Sequence, residues 1–167
     1  MRSRRTRAIA IGALGTALVA TATAFLKIPI PTGYGYIHLG DGLIYGIAAS
    51  FGPVLATVSG GLGSAVADLL AGYPAWMPWS IAIKGLTGYL VGSLVTRRKL
   101  HKVPAMVAGA LVTIAGYSLG AFVLYGAAAV PAEFLFDLIQ TGSGVVVGLG
   151  ISRLLELAAK TLFEEQQ

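Results

Sequence analysis

The chain has 167 residues, of which 56% are hydrophobic, and 23 glycines add about 14% more. Charged residues make up only 11%, where an ordinary soluble domain carries about 25%. That is too few to build a polar shell, which excludes soluble globular and disordered classes and makes lipid the solvent for most of the surface. The absence of cysteine excludes disulfides, iron–sulfur clusters, thiolate zinc sites and cysteine nucleophiles.

A bilayer-spanning helix needs about 20 apolar residues. The first such run covers about 8–26. Lys27 and the segment Ile28-Pro29-Ile30-Pro31-Thr32-Gly33-Tyr34-Gly35-Tyr36 end it, because two prolines and two glycines forbid regular helix. A second, short run covers about 37–51 and is broken by Gly52-Pro53. Its length suits a tilted helix or one partly buried under its neighbours. The third covers about 53–70 and closes at Ala71-Gly72-Tyr73-Pro74, and the fourth covers about 79–95. The fifth covers about 103–127. Pro131 suits the first turn of a sixth, about 132–157. The expected fold class is an all-α integral membrane bundle of six transmembrane helices, one domain over 1–167.

Six spans put both termini on one side. That side would hold Arg2, Arg4, Arg5, Arg7, Arg97, Arg98, Lys99, Lys102, Arg153 and Lys160, against Lys27 alone on the other, with Lys84 inside span four. The positive-inside rule then puts both termini in the cytoplasm. The basic runs read as topology anchors; no basic–aromatic platform for nucleic acid accompanies them. The first run lacks a polar cleavage region and reads as a retained helix rather than a signal peptide.

There is no phosphate-binding loop. Gly61-Leu62-Gly63-Ser64-Ala65-Val66 echoes a dinucleotide fingerprint, but inside an apolar span it reads as close helix packing. Two distant histidines make no metal site, and no cofactor is implied. Small residues line the first helix at fourfold spacing: Ala13 and Ala17, Gly12 and Thr16, Ala20 and Ala24. Such a stripe serves either packing within the bundle or docking of a separate membrane subunit.

Ionisable groups at bilayer depth cost roughly 2.5–3.5 kcal/mol each on insertion scales and normally face a cavity or one another. His38 and Asp41 open the second span, Asp68 ends the third, and Lys84 lies in the fourth. Glu133, Asp137 and Gln140, at spacing 0, 4 and 7, share one face of the sixth. Tyr34, Tyr36, Trp76, Trp79, Tyr89 and Tyr125 fall at the same level. Together they suggest a small-molecule pocket with aromatic walls in the outer half. Each also has a purely structural reading. Trp76 and Trp79 suit an interfacial belt. Glu133 suits a helix N-terminus. Lys84 suits pairing with Asp68 or Asp137, and Asp41 suits backbone hydrogen bonds around Gly40 and Gly42.

Several segments in order carry a resemblance. They are Lys27-Ile28-Pro29-Ile30-Pro31, Gly35-Tyr36-Ile37-His38-Leu39-Gly40-Asp41, Phe51-Gly52-Pro53, Gly60-Gly61-Leu62-Gly63-Ser64-Ala65-Val66-Ala67-Asp68 and Lys84-Gly85-Leu86. Over roughly residues 8–95 the chain resembles the substrate-binding S components of energy-coupling factor vitamin transporters, in the branch with riboflavin, pyridoxine and hydroxymethylpyrimidine carriers. The later helices match in length and topology.

The resemblance implies a vitamin-binding, non-enzymatic subunit of the bacterial cell membrane with six helices. It implies a loop over 27–37 that caps an outward vitamin site, for which the polar and aromatic residues suggest Tyr36, His38, Asp41, Trp79, Lys84, Glu133, Asp137 and Gln140. It also implies that Ala13 and Ala17 dock onto a transmembrane coupling subunit, with two cytosolic ATPases supplying the energy. Pyridoxine-like or hydroxymethylpyrimidine substrates are favoured. The alternatives are a stand-alone membrane scaffold, whose polar residues pair only internally, and an intramembrane enzyme.

Overall fold

The computed structural model describes residues 2–29 and 36–164, with side chains described between residues 5 and 157 apart from 7 and 29–35. Part of the expected capping segment, residues 30–35 with Tyr34, lies outside the described residues, as do the side chains of Arg2, Arg4, Arg7 and Lys160.

Six α-helices follow one another: α1 (Arg2–Phe25), α2 (Gly40–Phe51), α3 (Pro53–Ala71), α4 (Met77–Gly92), α5 (Lys102–Tyr125) and α6 (Val130–Glu164). The all-α class and the six helices agree with the composition and with the proline and glycine breaks. Four segments are long and apolar enough to cross a membrane: Ala8–Phe25, Pro53–Ala71, Lys102–Tyr125 and Ala127–Leu157. The remaining two helices are shorter. α4 has 16 residues and runs on into a π-helical turn, Ser93–Arg97. α2 has 12 residues, about 18 Å, and most of them are buried. It is therefore a core helix sheltered by its neighbours.

Between α1 and α2 the chain forms a small antiparallel ribbon of β1 (Lys27–Pro29) and β2 (Tyr36–His38). Lys27 pairs with His38, Ile28 with Ile37, and Pro29 with Tyr36. Strands of three residues are too short to show a period of two, which is why the sequence reads there only as a break in helix.

α3 packs against α4 and α1, while α6 packs against α2 and α5. Without a hydrophobic force between helices in lipid, close backbone approach supplies the packing. A Cβ on Gly88 would lie 2.6 Å from Ala56 O, and one on Gly92 would lie 2.6 Å from Pro53 Cα. Across the α2–α6 contact, a Cβ on Gly144 would lie 2.8 Å from Asp41 Cβ, and one on Gly148 would lie 2.7 Å from Tyr45 Cβ. The Gly61–Val66 segment behaves as expected: a Cβ on Gly63 would sit 2.9 Å from Thr16 O of α1.

Gly88→Ala has to push one helix backbone away from another, because the obstacle is the Ala56 carbonyl. We expect it to lower the midpoint of thermal unfolding in detergent. Gly142→Ala, where a Cβ meets nothing within 4 Å, gains up to about 1 kcal/mol of helix propensity. A midpoint unchanged by Gly88→Ala would show that α3 and α4 can separate freely.

Candidate functional site

The site forms where β2 meets the ends of α3, α4, α5 and α6. On α6 the 0, 4, 7 spacing puts Glu133, Asp137 and Gln140 on one inward face, with exposures of 9%, 6% and 3%. They line a narrow cleft together with Tyr36, His38, Asp68, Trp76 and Tyr117. The space enclosed there is tight, about 30 Å3.

One polar network organises its floor. Lys84 and Asp41 are both fully buried, and the Lys84 ammonium donates to Asp41 Oδ1 at 2.6 Å. Gln140 Nε2 donates to Asp41 Oδ2 at 3.0 Å, and the His38 backbone N–H donates to Gln140 Oε1 at 3.0 Å. A donor on one side and a carboxylate on the other leave only one sensible orientation for that amide. The Lys84 ammonium also lies 4.8 Å from the centroid of the Tyr117 ring. One turn below, Thr87 and Thr113 share a hydrogen bond of 3.0 Å.

The ribbon is tied down twice. His38 holds it to α6, and the Tyr36 hydroxyl donates to Asp68 Oδ1 on α3 at 2.8 Å. Burial, and next the Asp68 carboxylate, hold the Tyr36 hydroxyl well above its usual pKa, so it stays a donor. His38 Nδ1 accepts from the Gly40 N–H at 3.1 Å, which leaves that nitrogen unprotonated. Aromatic rings form the walls. Tyr36 lies 5.5 Å from His38 and 5.3 Å from Tyr73, and Trp76 lies 5.3 Å from Tyr117. Ser80 and Tyr117 share a hydrogen bond of 2.6 Å.

Several expectations change here. Lys84 pairs with Asp41, not with Asp68 or Asp137. The Asp41 carboxylate is held by two side chains rather than by backbone around Gly40 and Gly42. Both oxygens of Asp41 are thereby engaged, so Asp41 and Lys84 frame the cleft from beneath. Trp79 does not line the cleft; its ring packs in the adjacent aromatic cluster, against the position a Cβ on Gly120 would take. Trp76 takes the wall position. Tyr117 escaped the sequence reading, although Gly109, Thr113, Tyr117 and Ala121 recur at fourfold spacing and are all buried. That stripe was the available signal. Tyr89 lies elsewhere, 5.7 Å from the Arg97 guanidinium.

On the opposite side of α3, Ala13 and Ala17 are exposed. They edge a shallow groove with Gly12, Thr16, Leu55, Val58 and Leu62. Gly15 faces inward, where a Cβ would lie 2.5 Å from Ser59 Oγ. Packing within the bundle therefore uses Gly15, and Ala13 and Ala17 are left uncovered.

The ion pair sets a testable condition. Lys84→Met strands the Asp41 carboxylate at zero exposure, and breaking a buried pair this way costs about 3–5 kcal/mol. Combining it with Asp41→Leu should recover most of that loss. Unfolding of the three variants in detergent, followed by tryptophan fluorescence, would measure both. Equal losses in the single and double variants would mean that the pair contributes packing only.

Comparison with known proteins gives the family. The family profile described as "ECF-type riboflavin transporter, S component" matches residues 3–157. A protein of Pyrococcus woesei described as "Uncharacterized protein in gap 3'region" is 39% identical over 140 residues, covering 83% of this chain and 94% of that one. The "Thiamine precursor transporter HmpT" of Lactococcus lactis subsp. cremoris is 30% identical over 157 residues, covering 93% of this chain and 92% of its own. A UPF0397 protein of Streptococcus pneumoniae is 36% identical over 84 residues, which is 50% of this chain and 44% of that one. Matched over nearly its whole length and carrying four apolar spanning segments, the chain is a multi-pass cell-membrane protein, and it belongs to the family of ECF-type transporter S components.

Proposed function

We propose that the chain, as one transmembrane domain, captures a small vitamin or vitamin precursor in the cleft between β2 and α6. It passes that substrate to a transmembrane coupling subunit and two cytosolic ATPases for ATP-driven uptake. The observation that carries this reading is the cleft itself. Its walls are aromatic, and its rim is a ribbon that, among the described residues, two side-chain hydrogen bonds hold to the helices, Tyr36 to Asp68 and His38 to Gln140. Flat walls suit the two faces of a heteroaromatic ring, and a lightly tied ribbon suits a cap that opens and closes.

The substrate favoured is pyridoxine-like or a hydroxymethylpyrimidine. The likeness to a relative named as a thiamine precursor transporter supports the second. Tyr36, His38, Glu133 and Asp137 are the proposed contacts, with Gln140 holding the cap. Binding and release are the whole task, and no covalent step is assigned to the chain. The protein should be purified in full and its retained small molecules identified by mass spectrometry, then titrated by calorimetry. Retention of a heteroaromatic vitamin or precursor supports the reading. A chain that binds none is a scaffold, and one that converts its ligand is an enzyme.

The positive charge distribution orients the proposed importer, with both termini and residues 97–102 in the cytoplasm. A single cysteine at Arg98 should therefore resist a membrane-impermeant label on intact cells, while one at Thr32 reacts. The reverse pattern would invert the topology.

The uncovered face of α1 is the proposed docking surface for the coupling subunit. Ala13→Leu and Ala17→Leu add bulk where close helix approach is needed. Both should abolish assembly and uptake while leaving calorimetric ligand binding by the isolated chain intact. Normal assembly of both variants would remove the stripe from the docking role.

A further inference from the structure

The cleft is unbalanced in hydrogen-bonding capacity, and the imbalance identifies a ligand class. Three carboxyl groups line it, Asp68, Glu133 and Asp137, and Asp41 lies beneath. Among the described residues Lys84 is the one fully buried ammonium, and it is engaged by Asp41 at 2.6 Å. Both Asp41 oxygens are used, and Asp68 Oδ1 accepts from Tyr36. Asp137 differs. It lines the cleft at 6% exposure, and its Oδ2 is buried without a hydrogen-bond partner. Glu133, one turn away on the same face, lines the cleft as well. A buried carboxyl oxygen without a partner is costly, and a ligand donor removes that cost.

We infer that the cleft selects a monocyclic heteroaromatic with an amidine-type edge, a ring nitrogen beside an exocyclic amino group, and that Asp137 is the residue that reads this edge. The inference rests on the reading that this cleft is the vitamin site. A ring nitrogen that holds a proton, with an amino group next to it, presents two parallel N–H donors. A carboxylate accepts such a fork with both oxygens. The proton is shared between Asp137 and the ring nitrogen whichever of the two brings it. Trp76, which packs against Tyr117 at a 48° tilt, gives the cleft an aromatic wall for a flat ring.

Other vitamin edges fit less well. A pyridine ring without an adjacent amine offers one N–H at most. The imide edge of a flavin places a carbonyl oxygen on each side of its N–H, which sets acceptor against acceptor at Asp137. The lactam obtained by replacing the amino group with oxygen does the same on one side.

The test is a calorimetric titration of the full-length protein with four probes. These are 4-amino-5-hydroxymethyl-2-methylpyrimidine, its 4-oxo counterpart, pyridoxine and riboflavin. We expect the amino compound to bind roughly ten- to a hundredfold more tightly than the 4-oxo compound, the range for one charged hydrogen bond. In Asp137→Asn that preference should collapse or invert, because an amide can donate to the oxo group. Equal affinity for the two pyrimidines in the unaltered protein overturns the inference without any variant, so a misfolded variant cannot rescue it. An unchanged preference in a folded Asp137→Asn overturns the role of Asp137. Tight binding of pyridoxine or riboflavin alone overturns the inference and leaves the vitamin-capture reading standing. Binding of no probe, with no vitamin retained on purification, overturns both.

Discussion

The contact between Lys84 and Asp41 is the constraint to which the rest of the site answers. Two opposite charges at zero exposure in a bundle solvated by lipid are costly to desolvate, so further partners have to support the pair. Asp41 spends its second oxygen on Gln140, and the Lys84 ammonium sits near the face of Tyr117. The pair thus fixes α2 to α4, and through Gln140 it fixes both to α6. It also explains how a 12-residue helix holds its place. α2 is too short to be set by lipid, so a buried ion pair at its N-terminal end and glycine contacts with α6 along its length position it instead.

The same pair decides which polar groups are frame and which are available. Gln140 uses its amide nitrogen on the frame and its oxygen on the ribbon, so the cap is hung from the ion pair by one side chain. A hydrogen bond contributes about 1 kcal/mol net, and about 1.5–3 kcal/mol when it goes to a charged group such as the Asp68 carboxylate. Two such ties at the ribbon come to less than the ion pair and its supporting hydrogen bonds in the floor. The floor can therefore stay rigid while the ribbon opens, as a capture site needs. What the frame and the ribbon leave unpartnered in the cleft is Asp137 Oδ2 on α6 and Asp68 Oδ2 on α3.

Much of this was legible in the residues. Low charge established the solvent, proline and glycine marked the helix ends, and the spacing of Glu133, Asp137 and Gln140 predicted their shared buried face. The partner of Lys84 was not legible. Asp41, Asp68 and Asp137 all lie at compatible depths, and a separation of 43 positions along the chain carries no information about which one it meets. The choice between Trp76 and Trp79 failed for a related reason. Three residues turn a helix by roughly 300°, and the 3-10 turn Pro74–Trp76 before α4 changes the phase again. Tyr117 went unseen because a single tyrosine in an apolar helix is a common core residue, and its role depends on what faces it from α4.

The small residues show why composition alone cannot separate packing from docking. Gly15 and Ala17 are two positions apart on one helix, yet a Cβ at the first meets Ser59 while the second faces outward beside a groove. Helical phase, rather than residue type, assigns them. That phase also places the proposed partner surface on α3, since Val58 and Leu62 edge the groove. Asp68, which anchors Tyr36 of the ribbon, lies on the same helix. From Val58 to Asp68 is ten residues, about 15 Å of continuous helix. A partner seated in the groove therefore bears on the element that holds one of the two ribbon ties. In the proposed importer, α3 therefore touches both the docking groove and the Asp68–Tyr36 tie, which gives docking a route to the cap.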